Sequence, residues 1–219
     1  HFYSMLSLLV SVTLAATVST AKVYDSVPVE EVVPGKPLYE IQATTESKSN
    51  LETVTMVTRD RAGEVYSRQE VKYLKGAVSA YTFENAKAKF RIDVADGKVK
   101  YDSVLEGKKS ENEHDLPPNF VIGASLRRYI DSHYEDLAAG KELAVEMGLP
   151  VFGKTLGFLL RKVEGREKGV VAGERIKVEL KPSSIIVRAM MPAAHYYLDT
   201  KSKRLVRYVG PTEYVKAGE

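Results

Sequence analysis

The chain of 219 residues, 44% hydrophobic and 28% charged, is long enough to bury a substantial core and too apolar to stay disordered. Its net charge of +3 is spread thinly, with no Arg/Lys cluster interleaved with aromatics, so no nucleic-acid partner is expected. There is no cysteine, which removes disulfides, thiolate metal sites and a cysteine nucleophile.

In chain order, the first feature is an uncharged apolar stretch from Met5 to Val18, followed by Ser19-Thr20-Ala21. Small residues at 19 and 21 fit the cleavage pattern of signal peptidase and predict a signal peptide over 1–21, with a mature chain from Lys22. Ser7, Ser11 and Thr13 interrupt the stretch, so no permanent membrane span is expected after cleavage. The chain starts at His1 without a basic segment, which reads as an N-terminally truncated signal, and no cysteine follows for a lipid anchor. The expected location is the periplasm or the exterior. Residues 22–37, with three prolines, read as an extended lead-in to a single β-rich domain over 38–219.

Strand signals then follow closely. Tyr39, Ile41 and Ala43 alternate with Glu40 and Gln42; "ETVTMVTR" and "EVYSRQEVKY" come next, with Asp60-Arg61-Ala62-Gly63 as the turn between them. In "AKFRIDVADGKVKYDSV", Asp96-Gly97 predicts a two-residue hairpin turn, because both central positions need positive φ. Pairing Ala95 with Lys98 sets Val94 opposite Val99 and Ile92 opposite Tyr101, which agrees with the apolar alternation.

Residues 105–118 read as a polar connection. Within it "SENEHD", 110–115, collects carboxylates and a histidine, but a lysine-flanked loop gives no reason for them to converge on a metal. A helix is predicted over 120–139, capped by Asn119 and ended by Gly140. Leu126, Tyr129, Ile130, His133 and Leu137 share its apolar stripe, with Arg127, Arg128, Asp131 and Glu135 pointing away. Further strands are predicted in "KELAVEMG", "TLGFLLRKV", "GERIKVEL", "SIIVRAMM", "AHYYLD" and "RLVRYVG". The expected fold is α+β: mainly β with one long helix, as a large curved antiparallel sheet or open half barrel covered by that helix.

Register arguments pick out the candidate site. Ile176, Val178 and Leu180 share one face of their strand, and matching them to Ile185, Val187, Ala189 and Met191 puts Arg188 on the other face. A turn at Pro192-Ala193 carries the register on, so His195, Tyr197 and Arg207 join Arg188, while Tyr196, Leu198, Val206 and Tyr208 stay in the apolar layer. This mixed face is either an outer surface with snorkelling arginines or a binding face. In the binding reading Phe158, Leu160, Arg188, His195, Tyr197 and Arg207 hold an amphipathic, lipid-like ligand, with the guanidiniums on its anionic head. An envelope protein partner is the alternative occupant. Hydrolysis by His133 or His195 with a serine is the third option. It lacks support, because the G-x-S-x-G elbow stops at Gly123-Ala124-Ser125. No catalytic residue, metal site or cofactor is expected.

The segments "YEDLAAGKELAVEM", "TLGFLLRKVEG" and "ELKPSSIIVRAMMPAAHYYLDTKSKRLVRYVGP" resemble a family of exported bacterial domains of unknown function over roughly residues 119–211. The resemblance implies an exported, β-rich, open-barrel architecture, similar in outline to periplasmic lipoprotein carriers. No carrier motif is matched residue by residue, so it assigns no ligand.

Overall fold

The computed structural model describes residues 15–23, 39–164, 173–191 and 193–210. The expected signal segment before Ala15 and most of the expected lead-in, 24–37, lie outside the described residues.

Eight strands make the first sheet: β1 (Ala15–Val23), β2 (Tyr39–Lys48), β3 (Leu51–Asp60), β4 (Val65–Leu74), β5 (Ala77–Asn85), β6 (Ala88–Ala95), β7 (Lys98–Leu105) and β8 (Lys108–Asp115). Each pairs antiparallel with its sequence neighbour. Three of the connections, Lys75-Gly76, Asp96-Gly97 and Glu106-Gly107, have positive φ at both residues, the geometry that matches a two-residue turn to strand twist. The expected register at Asp96-Gly97 holds, with Ala95 opposite Lys98, Val94 opposite Val99 and Ile92 opposite Tyr101.

Two expectations change here. Residues 110–115 are not a loop but most of β8, exposed along its whole length. As an edge strand it needs no apolar face; Lys98 pairs with Asp115 and Lys100 with Glu111 across the ladder, and the charges guard the edge. At the other edge, β1 pairs with β2 from Ala15–Ser47 to Val23–Tyr39, so residues 15–21 of the expected signal segment are paired as a strand.

The second half contains β9 (Phe120–Val121), α1 (Ala124–Ser132), α2 (Tyr134–Ala138), β10 (Leu143–Leu149), a 3-10 turn at Pro150–Phe152, β11 (Lys154–Val163), β12 (Arg175–Pro182), α3 (Ile185–Met190), β13 (Ala194–Asp199) and β14 (Leu205–Val209). The sheet order is β14-β13-β12-β11-β10-β9, antiparallel except where β9 meets β10. The described residues are mainly β, and a large curved antiparallel sheet forms a half barrel.

The expected helix over 120–139 is two shorter ones, and Phe120 belongs to β9. Asn119 has φ +54 and does not cap; the Ser125 hydroxyl instead accepts the Ile122 amide proton at 2.6 Å. The break falls at His133, whose φ of −110° ends α1 and opens α2. The apolar stripe survives the break. Leu126, Ile130 and Leu137 are buried against Val145, Phe158, Leu160, Val178, Leu180, Tyr196 and Leu198 of the second sheet.

"SIIVRAMM" is not a strand; residues 185–190 form α3. β12 pairs directly with β13, Leu180 opposite Ala194 and Glu179 opposite His195, which leaves no ladder for an intervening strand. One parity of the segment is wholly apolar and the other is interrupted only by Arg188, so the alternation that suggested a strand is weak.

Two cores result. One lies between α1, α2 and the second sheet; the other, on the first sheet, gathers Val71, Tyr73, Tyr81, Phe83, Phe90, Ile92, Val99 and Tyr101. Consecutive residues join them, Val121 lying in the former and Ile122 in the latter. The Tyr101 hydroxyl meets the Thr155 hydroxyl at 2.7 Å, and His114 Nε2 lies 3.2 Å from the Gly153 carbonyl oxygen, so polar contacts also tie the halves.

Candidate functional site

The structure separates the six candidate residues into three places. Phe158 and Leu160 are buried under α1 and α2, so the helices occupy the layer expected for a ligand. Arg188 leaves the mixed face with α3. Its Nε donates to the Pro182 carbonyl at 2.6 Å and its Nη2 to the Ser183 carbonyl at 3.2 Å, which folds the helix back on the end of β12.

His195, Tyr197 and Arg207 do come together on the outer face of β12–β14. One row across the strands is Val163, Lys177, Tyr197 and Arg207. The Arg207 guanidinium carbon and the Lys177 ammonium lie 5.8 and 6.0 Å from the Tyr197 ring centre, within cation–π range. Tyr197 itself is only 5% exposed. The next row is Arg161, Glu179 and His195. Arg161 Nε and Nη2 both reach Glu179 Oε1, at 3.0 and 2.9 Å, and His195 Nε2 stands 3.9 Å from Oε2. Burial and the Lys177 cation hold the His195 imidazole below its ordinary range, against the pull of Glu179. Charges on this face therefore answer each other, and it offers an anion less than the sequence suggested.

A recess exists elsewhere. An open cleft of about 380 Å³ lies between the β4–β5 turn, the chain leading into β9, and α1. Tyr73, Val121 and Ser125 are the buried parts of its lining; Val78, Leu116, Pro117, Phe120 and Tyr129 make its apolar walls. The cation is Arg128, whose guanidinium carbon sits 4.5 Å above the Tyr73 ring while Nη1 donates to Glu52 at 2.6 Å. Burial, the leading cause, pushes the Tyr73 hydroxyl up to about 12, so it stays protonated and Arg128 provides the only full charge of the lining. The cleft sits where the two cores meet, and its apolar wall with one cationic rim group suits an amphipathic guest. Its residues come from three stretches, 73–78, 116–121 and 125–132, so no local pattern announced it. The readable signal was Arg127-Arg128 beside the apolar stripe of α1.

The hydrolytic option finds one close contact. Ser132 Oγ lies 3.0 Å from His133 Nδ1, but both also meet the Tyr129 carbonyl oxygen, at 2.9 and 2.8 Å. That oxygen is an end carbonyl of α1, and the pair serves it as a cap. The His133 ring stacks on Tyr129 with centroids 4.1 Å apart, and Asp136 is bonded to Lys141 rather than to the imidazole. Among the described residues no group of three or more His, Asp or Glu could hold a metal ion, and no helix is long and apolar enough to cross a membrane.

The chain matches no family model, no curated protein and no solved structure. The β-rich fold with a curved, half-barrel sheet is observed, and no match ties the chain to a particular family.

Proposed function

We propose that this is a non-enzymatic, exported protein that binds a single-chain amphipathic ligand in the cleft beside α1. The observation that carries the reading is the juxtaposition of Arg128 with an apolar recess of about 380 Å³, at the lower end of small-molecule site volumes. An acyl chain would lie against Val78, Leu116, Phe120 and Tyr129, with its carboxylate or phosphate at the guanidinium. Glu52 already holds Arg128 at 2.6 Å, so an anionic head group competes with that carboxylate.

The test is a titration of the purified chain with a fatty acid and with an uncharged alcohol of equal chain length. Arg128→Gln should weaken the fatty acid by about tenfold, one charge-assisted contact, and leave the alcohol unchanged. Glu52→Gln should strengthen the fatty acid, because it frees the guanidinium. If neither amphiphile raises the melting temperature of the wild-type chain, the reading is wrong.

Export rests on the apolar Met5–Val18 stretch followed by Ser19-Thr20-Ala21. Sequencing the N-terminus of the protein from a periplasmic fraction tests it, with Lys22 expected first.

The second reading is docking of an envelope partner on the outer face of β12–β14. Its support is the pair of part-exposed cations, Lys177 and Arg207, held over the buried Tyr197 ring. Arg207→Glu would then abolish capture of that partner while sparing amphiphile binding, and unchanged capture would remove this reading.

A further inference from the structure

We propose that α3 is a membrane-contact element, which seats two isoleucines in the surface of an anionic phospholipid bilayer. Ile185 and Ile186 are 80% and 75% exposed, adjacent on a helix of six residues. A surface helix ordinarily turns its large apolar side chains inward. Here Val187 and Met191 take the inward positions, both half-buried, and Met191 packs against the core of the second sheet. The helix is also fastened at its start. The Ser183 amide donates to the Gly157 carbonyl at 2.9 Å, and Arg188 holds the carbonyls of Pro182 and Ser183. The two isoleucines are thus presented by a held element rather than left on a loose end.

Size and charge decide the occupant. A stable protein partner buries about 800 Å² on each side, and two side chains on one helical turn are a small, protruding knob. A bilayer accepts such a knob without a complementary surface, since shallow insertion below the head groups needs only apolar groups beside cations. From Lys181 to Ala194 the chain carries Lys181 and Arg188 and no acidic residue, a balance that suits phosphate-bearing head groups. The Glu146 carboxylate lies beside Gly157 and Ser183, at the strand end of the segment and ahead of the isoleucines.

Placement links this element to the rest of the molecule. Phe120, Glu146, Gly157 and Ser183 fall on one row across β9, β10, β11 and the end of β12. Three strand spacings, roughly 14 Å, therefore separate the start of α3 from Phe120 in the cleft wall. A chain seated by α3 would hold the cleft close to a bilayer, although the contact itself does not rest on the ligand-binding reading.

The chain has no tryptophan, so Ile185→Trp introduces a single fluorophore at the proposed contact. The full chain is mixed with vesicles of phosphatidylcholine alone and of phosphatidylcholine with phosphatidylglycerol. Emission should shift to the blue with the anionic vesicles, and salt should weaken the effect. Ile185→Asp combined with Ile186→Asp should lower co-sedimentation of the chain by about tenfold or more, with circular dichroism and urea midpoint unchanged. Emission indifferent to vesicles, or co-sedimentation of the double variant equal to wild type, would overturn the proposal. So would emission already blue before lipid is added, together with a doubled mass by light scattering, which would make a second copy the occupant. Fatty-acid binding retained by the double variant keeps this contact distinguishable from the cleft.

Discussion

Gly123 joins β9 to α1 at φ +51, so close to the first sheet that an added Cβ would lie 2.7 Å from Tyr81 Cε2. Alanine there meets both backbone strain and overlap with a buried ring, and we expect Gly123→Ala to cost about 2–4 kcal/mol. The readout is a lower urea midpoint at unchanged slope. His195 gives a pH signature. Its folded-state pKa is depressed below 6.5 by burial and Lys177, so the unfolded chain takes up the proton more readily. The stability tied to its neutral form is present above that value and is lost as pH falls through it and below. Urea midpoints should therefore drop as pH falls below about 6.5, and His195→Gln should remove part of the drop. Individual residues were legible where a face fixed them: Tyr197 and Arg207 meet as the parity of their strands requires. Arg188 was not, because it alone breaks the apolar pattern of its segment and the pairing of β12 with β13 decides its place.

At the scale of elements, the two short helices depend on burial rather than on helix propensity, since α1 has nine residues and α2 five. Leu137, fully buried under the second sheet, fastens α2, and Leu137→Ala should destabilise by about 2–5 kcal/mol in urea unfolding. β1 is the other element with a consequence. If export removes residues 1–21, β2 loses nearly all of its outer partner, from Ala15–Ser47 to Ala21–Ile41. Hydrogen exchange should then show the β2 amides that face β1 well protected in the full chain and labile in a chain starting at Lys22. Equal protection would mean that β2 keeps another partner. The β6–β7 hairpin could be read because Asp96-Gly97 is a strong two-residue turn signal; Lys75-Gly76 and Glu106-Gly107 make the same geometry with less distinctive residues and were not read. β8 was missed because edge strands do not need an apolar face, which removes the alternation that marks a strand.

For the whole molecule, several contacts tie the halves: the Val121-Ile122 pair, Arg128 on Glu52 and Tyr73, the Tyr101–Thr155 hydroxyl bond and the His114–Gly153 contact. Tyr101→Phe removes one of these and leaves Thr155 without its partner, an expected loss of about 1 kcal/mol. If the halves unfold together, fluorescence and circular dichroism transitions will coincide in this variant as in wild type; if the bond carries the coupling, they will separate. The cleft at this junction was beyond local pattern reading, since residues 73–78 of the first sheet meet 116–121 and 125–132 only once both sheets have formed.

The neighbour-to-neighbour order of the first sheet also bears on how quickly the protein reaches its fold. From β2 to β8 each strand finds its partner within a few residues of a turn, so loop closure is short and this part of the sheet can grow as the chain becomes available. The parallel contact of β9 with β10 is different, because α1 and α2 must be spanned before Val121 meets Met147. Refolding should accordingly begin in the β6–β7 hairpin and end with the closure of β9 on β10, which puts completion of the cleft among the last events.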